Sequence, residues 1–241
     1  MKNHNNTPAR STCSGSCRSC PSACPSAEYS RYFNAYNPVY VSQRMTGKME
    51  GIPSISTAAT LNAVCQARAT VPGSICSHCY AAATIQRYGA LRAHLEDNFR
   101  VLNSRDLLPE ELPAVYSDVC RLESFGDLAS VTQARNYIRI ARRSPWCRFT
   151  LWTKNPEFMA QALAELGRPE NMLFVYSSPD LNRPALEILA RFPWFDRVFT
   201  VYDAATIERD GVEINCGARS CRSCMLCYTP GGPVEVREKL K

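Results

Sequence analysis

The stretch CRFTLWTKNPEFMAQALAELGRPENMLFVYSS, residues 147–178, holds three structural elements in one line. CRFTLWT (147–153) is a short run of apolar and β-branched residues and reads as a strand. NPEFMAQALAELG follows as a helix, with Asn155 placed to cap it, Pro156 at the first helical position and Gly167 after the last turn. NMLFVYSS (171–178) then reads as a buried strand. Strand, helix and strand joined by short turns form the repeating unit of a parallel sheet with helical crossovers.

The same alternation extends in both directions. Upstream, GIPSIST (51–57) is short and β-leaning. After Cys79, residues Ile85, Tyr88, Leu91, Leu95, Phe99 and Leu102 recur at spacings of three and four, which predicts a helix. LPEELPAVYSDV (108–119) reads as a short helical stretch, VCRLESF (119–125) as a strand and ASVTQARNYIRIARR (129–143) as a helix. Downstream, RPALEILARF (183–192) predicts a helix opened by Pro184, and DRVFTVYD (196–203) a strand. Five or six strands fall short of the eight of a closed barrel. The expected fold is therefore α/β: a partial (β/α) barrel with five or six parallel strands, or a doubly wound sheet, flanked by Cys-rich N- and C-terminal cluster-binding segments. The expected boundaries are a Cys-rich segment at 1–38, the barrel at 39–210 and a second Cys-rich segment at 211–241.

Of the 241 residues, 45% are hydrophobic and 21% charged, as in ordinary globular proteins. No run of 18 apolar residues occurs, which argues against a membrane span. The opening MKNHNNTPARSTC lacks the apolar segment of a secretory signal, so a cytoplasmic location is expected. The net charge of +6 permits a nucleic-acid or nucleotide partner without demanding one.

Thirteen cysteines are the outlier. An odd number cannot pair completely, and grouped cysteines in a reducing compartment more often bind metal than form disulfides. Eleven fall into three groups: Cys13, Cys17, Cys20 and Cys24; Cys65, Cys76 and Cys79; Cys216, Cys221, Cys224 and Cys227. Cys120 and Cys147 stand alone in or beside strands and read as buried thiols. In ICSHCYAAAT (75–84), two thiols stand at the mouth of a helix, where backbone N–H groups and the helix dipole favour anionic sulfur. With Cys65 folded back, three thiolates can hold a four-iron cluster and leave one iron open. The alternative is a structural zinc with His78 as a further ligand. The C-terminal C-x4-C-x2-C-x2-C can wrap one cluster, and its first three cysteines share the plant-type ferredoxin spacing; zinc is again the alternative. The N-terminal C-x3-C-x2-C-x3-C-P ends like a bacterial ferredoxin run and is expected to hold an auxiliary cluster, against zinc or no metal.

Polar residues gather at the C-terminal ends of the predicted strands, where parallel α/β folds carry their active sites. Glu123, Asp127 and Lys154 are the catalytic candidates. Ser124, Gly126 and Ser177 are the candidates for cofactor binding. Lys154 and Arg121 suit a carboxylate or phosphate.

Taken in order, LNAVCQARATVPGSICSHCYA, RLESFGDL, FTLWTKN and the terminal C-x4-C-x2-C-x2-C resemble the phage-associated gene product 88 family over roughly residues 50 to 230. That family is similar in turn to radical-SAM enzymes. The resemblance implies a partial (β/α) barrel with two or three 4Fe-4S clusters. Cys65, Cys76 and Cys79 would ligate the open-iron cluster, and S-adenosylmethionine would be a candidate cofactor near Gly126 and Asp127. In this chain the first cysteine stands eleven residues from the second rather than four, and no Gly-Gly-Glu-Pro occurs. Three functions follow as expectations: a radical-SAM-like enzyme acting on a small-molecule or nucleotide ligand and fed by an electron-donor protein; a non-enzymatic iron–sulfur redox or scaffold protein; or a zinc-stapled phage protein that binds nucleic acid.

Overall fold

The computed structural model describes residues 37–43 and 45–240. The cysteine group at 13–24 lies outside the described residues. Six strands form one sheet: β1 (Ser54–Ile55), β2 (Val119–Leu122), β3 (Arg148–Thr153), β4 (Met172–Ser177), β5 (Arg197–Tyr202) and β6 (Glu235–Lys239). Their spatial order is their chain order, and every neighbouring pair is parallel. A doubly wound sheet reverses direction at a switch point, and this order never reverses.

Helices and loops carry the chain from one strand to the next: α1 (Ala63–Ala69), α2 (Tyr80–Arg87), α3 (Gly89–Ser104), α4 (Val131–Arg143), α5 (Pro156–Leu166), α6 (Ile188–Arg191), α7 (Ala204–Asp210) and α8 (Cys221–Cys224). Strand side chains alternate between two faces. On one face Phe149 and Leu151 join Phe174 and Val198 in the main core, together with Tyr137 and Ile138 of α4 and Met159 of α5. Cys120 and Cys147 sit in that core as free thiols. On the other face Val119, Trp152 and Val175 form a smaller core with Ile52 and Tyr228. Burial on both faces explains the near-continuous apolar runs of β3 and β4.

The second face is covered by the chain's own C-terminal segment. Arg148 Nη1 donates to the Tyr228 carbonyl at 3.0 Å, and Thr150 Oγ1 to the Cys227 carbonyl at 3.2 Å. Arg197 is buried, and its guanidinium donates to the carbonyls of Leu226, Thr229 and Gly231. Arg148 and Arg197 are the first residues of β3 and β5. They therefore pin residues 226–231 across the N-terminal ends of the strands.

Several local expectations need correction. The helix after Cys79 is two helices, because Tyr88 is extended (φ −117°, ψ 95°) and breaks the run. Residues 108–119 hold one 3-10 turn, Pro109–Glu111, since Pro113 supplies no backbone donor to continue it. The helix in 183–192 is confined to Ile188–Arg191. Asn155 precedes α5 without capping it; its side-chain amide donates instead to the Leu128 carbonyl at 2.6 Å. β2 stops at Leu122 because Glu123 has a left-handed backbone (φ 59°). The sixth strand follows the last cysteine, so the sheet runs on into the segment set apart at 211–241. No helix among the described residues is long and apolar enough to cross a membrane.

Candidate functional site

The loop that leaves β1 builds the roof of the site. Asn62 caps α1, accepting from the N–H groups of Val64 (3.0 Å) and Cys65 (3.4 Å), which places Cys65 in the first helical turn. Ser74 Oγ accepts from Cys76 N–H at 3.2 Å and starts the 3-10 turn Ile75–His78. Cys79 ends that turn and is the N-cap residue of α2. The loop is tied to the far side of the sheet: Ile75 N–H donates to the Pro179 carbonyl at 2.8 Å, and Leu181 N–H to the Gly73 carbonyl at 3.0 Å. It therefore bridges from β1 to the loop after β4.

Beneath it lies a cavity of about 1440 Å³. Cys65, Cys76 and Cys79 line it from the roof, and Cys216, Cys221 and Cys227 from the C-terminal segment. Cys216, Cys221, Cys224 and Cys227 also border a second, small cavity of about 20 Å³. All of these thiols are free. Among the described residues, no three His, Cys, Asp or Glu side chains converge as a site for a single metal ion. Burial pushes the Cys65 thiol far up, with the Asp127 carboxylate adding to it and Lys154 opposing. Burial likewise raises Cys216 and Cys221 and pushes Cys227 up to about 12. Without a metal these four are poor nucleophiles, because the thiolate is the reactive form.

The candidate polar residues separate by what they touch. Glu123 is fully engaged. It accepts from Thr57 N–H (3.2 Å), Thr57 Oγ1 (3.1 Å), Gln133 Nε2 (2.5 Å) and Tyr137 OH (2.5 Å). Burial outweighs these donors and raises its pKa to about 7. Gly126 packs onto this network, since a Cβ there would fall 2.5 Å from Thr57 Oγ1 and 2.7 Å from Glu123 Oε2. Asp127 is equally committed: it accepts from Thr153 Oγ1 (2.6 Å) and Lys154 N–H (3.0 Å), and Arg68 stands 3.8 Å away. The Asp127 carbonyl also receives the Asn62 side chain at 2.9 Å, so this loop holds the start of the Cys65 helix. Ser124 exchanges a hydrogen bond with Ser54 Oγ at 2.8 Å, and its carbonyl accepts from Tyr80 OH at 2.5 Å. Lys154 and Ser177 line the cavity, and among the described residues their side chains have no hydrogen-bonding partner.

The structure thus brings all six candidates, five polar side chains and Gly126, to the cavity wall, but engages Glu123, Asp127 and Ser124 in bracing it. Sequence reading missed Lys48, whose Nζ donates to Cys216 Sγ (3.3 Å), the Cys216 carbonyl (2.9 Å) and Glu238 (2.9 Å). Burial pulls its pKa down, but Glu238 and Cys216 hold it above the usual lysine range. It also missed Tyr80 and Tyr228. The aromatic directly after a ligand-like cysteine in both CY pairs was the available signal.

No curated protein and no solved structure matches the chain. The family model described as gene product 88 matches residues 1–235, which takes in the N-terminal cysteines as well as the four motifs. The chain therefore belongs to the gene product 88 family.

Proposed function

We propose that this chain is an iron–sulfur protein built on a partial (β/α) barrel, and that it handles a small molecule in the cavity between two thiolate sites. One observation carries the reading. Cysteines far apart in sequence, Cys65, Cys76 and Cys79 on one side and Cys216, Cys221 and Cys227 on the other, line the same cavity. The chemistry of the donors fits. Burial raises the pKa values of the half-buried Cys65, Cys216, Cys221 and Cys227, and metal coordination would draw off their protons outright. A tetrahedral ion at 2.3 Å from each sulfur needs its ligands about 3.8 Å apart. A multi-iron cluster spreads its thiolates more widely, which suits thiols set around a chamber.

In this reading Cys65, Cys76 and Cys79 hold a 4Fe-4S cluster with one open iron, and Cys216, Cys221, Cys224 and Cys227 hold a second. Lys154 and Ser177 face the ligand. Glu123, Asp127, Ser124 and Gly126 hold the wall in place. S-adenosylmethionine is the candidate cofactor at the open iron, and an electron-donor protein the candidate partner.

Anaerobically purified protein should contain iron and acid-labile sulfide. Cys224→Ser should lose part of both and lower stability, because ligation couples to folding, while the Cys65, Cys76 and Cys79 site keeps its share. Formation of 5′-deoxyadenosine in the presence of a reductant separates an enzyme from a redox module. Stoichiometric zinc without iron defeats the proposal.

A further inference from the structure

We infer that the cavity floor is an oxyanion-binding site centred on Arg121, taking the carboxylate or phosphate of a small organic molecule. This names the ligand class for the cavity of the proposed function. It rests on that reading for the cavity's role, but not on any metal being present.

The Arg121 guanidinium lies flat on the Trp152 ring, 3.5 Å from its centroid, and faces the cavity. It forms no ion pair with any carboxylate among the described residues. The Tyr228 hydroxyl comes beside it but falls short of hydrogen-bond geometry, so among the described residues Arg121 Nε and Tyr228 OH both lack a partner. Trp152 Nε1 has no partner among them either. Trp152 and Tyr228 are 5% and 1% exposed, and their rings stand 5.8 Å apart. Buried polar groups without partners are costly, and native proteins keep few of them. Here three belong to neighbouring side chains that all line the cavity. Arginine and tryptophan can only donate, and tyrosine can donate, so an acceptor is the missing component.

Charge points the same way. Among the described residues, the carboxylates that line the cavity are Glu123, Asp127 and Glu238. Each is engaged: Glu123 by Thr57, Gln133 and Tyr137, Asp127 by Thr153 and Lys154 N–H, and Glu238 by Lys48. Among the described residues, neither Arg121 nor the Lys154 ammonium forms an ion pair with a carboxylate; the thiols of Cys221 and Cys227 lie within electrostatic reach of Arg121, and that of Cys65 within reach of Lys154. A planar guanidinium held by stacking is preorganised for an oxyanion.

The test is titration calorimetry on the full chain with inorganic phosphate and, separately, acetate, against chloride at equal ionic strength, with iron, sulfide and zinc measured in every sample. Saturable binding of phosphate or acetate is expected, and the preferred anion tells a phosphate ester from a carboxylate. Arg121→Gln should weaken it roughly ten- to hundredfold, the range for a charged hydrogen bond. Tyr228→Phe, which removes only the hydroxyl, should weaken it several-fold and serves if Arg121→Gln does not fold. Arg183→Gln, an exposed charge away from the cavity, should leave it unchanged. Three results overturn the proposal: no binding beyond chloride, binding in Arg121→Gln or Tyr228→Phe equal to the unaltered chain, or loss of metal in Arg121→Gln in step with loss of binding. The last would make Arg121 the counter-charge of the C-terminal thiolates. Absence of iron with anion binding intact defeats the iron–sulfur reading and leaves this one standing.

Discussion

Replacing Gly126 by alanine separates a packing glycine from a ligand-contacting one. A Cβ at this position would meet Thr57 Oγ1 at 2.5 Å, the Thr57 carbonyl oxygen at 2.6 Å and Glu123 Oε2 at 2.7 Å. Two of these atoms belong to a hydrogen-bonded pair, and the third is backbone, so none is the free end of a flexible side chain. The backbone itself accepts alanine, because Gly126 is not among the residues with positive φ. That change alone would stabilise by about 0.4–1 kcal/mol through the unfolded chain. Against it stand overpacking of about 1–3 kcal/mol and disruption of the Thr57–Glu123 hydrogen bonds, about 1 kcal/mol. The net expectation is a loss of about 1–3 kcal/mol, which for a chain of this size lowers Tm by about 2–12 °C. Urea and thermal unfolding of metal-depleted protein measure it. Thr57→Ala in the same background should restore only part of the loss, since the carbonyl clash remains. A Gly126→Ala protein as stable as the original, with only ligand binding reduced, would refute the packing argument and return Gly126 to the cofactor site.

Two further outcomes follow from the braces. Burial raises Glu123 to about 7 from its ordinary value near 4.5, so its neutral form favours the fold below about pH 4.5, and that contribution is lost as pH rises through 7; the change is roughly 3 kcal/mol at most. Unfolding free energy measured from pH 4 to 8 should carry this falling component in the unaltered chain and lack it in Glu123→Gln, and matching pH slopes would contradict it. Arg197→Met leaves the carbonyls of Leu226, Thr229 and Gly231 without their buried donor, at about 1–3 kcal/mol for each group left unsatisfied. Hydrogen exchange should then quicken across residues 216–233 while β3 and β4 stay protected; uniform protection would show that the arginine does not hold the segment.

Much of the framework is local and therefore readable. β3, β4 and β5 are apolar runs because parallel strands are covered on both faces, and α4 and α5 carry their own start and stop signals in Ser130, Pro156 and Gly167. The paired thiols before α2 are equally local, since Cys76 and Cys79 share one turn. β6 was not legible. Its sequence, EVREK, is charged and shows no apolar run; it pairs with one strand, β5, and its other side is bonded by Asn215 and Cys216 arriving from the cysteine segment. The roles of the acids were not legible either. Glu123 and Asp127 stand at strand ends like catalytic carboxylates, yet whether an acid is free or engaged depends on Thr57, Gln133, Tyr137 and Thr153 arriving from other elements. The cavity is the clearest case. Each cysteine group is visible from its spacing alone, but that two of them face one chamber follows from Arg148 and Arg197 folding the C-terminal segment back across the sheet. Spacing along a chain encodes local geometry; the meeting of distant segments is decided by which buried donors find which carbonyls once the sheet has formed.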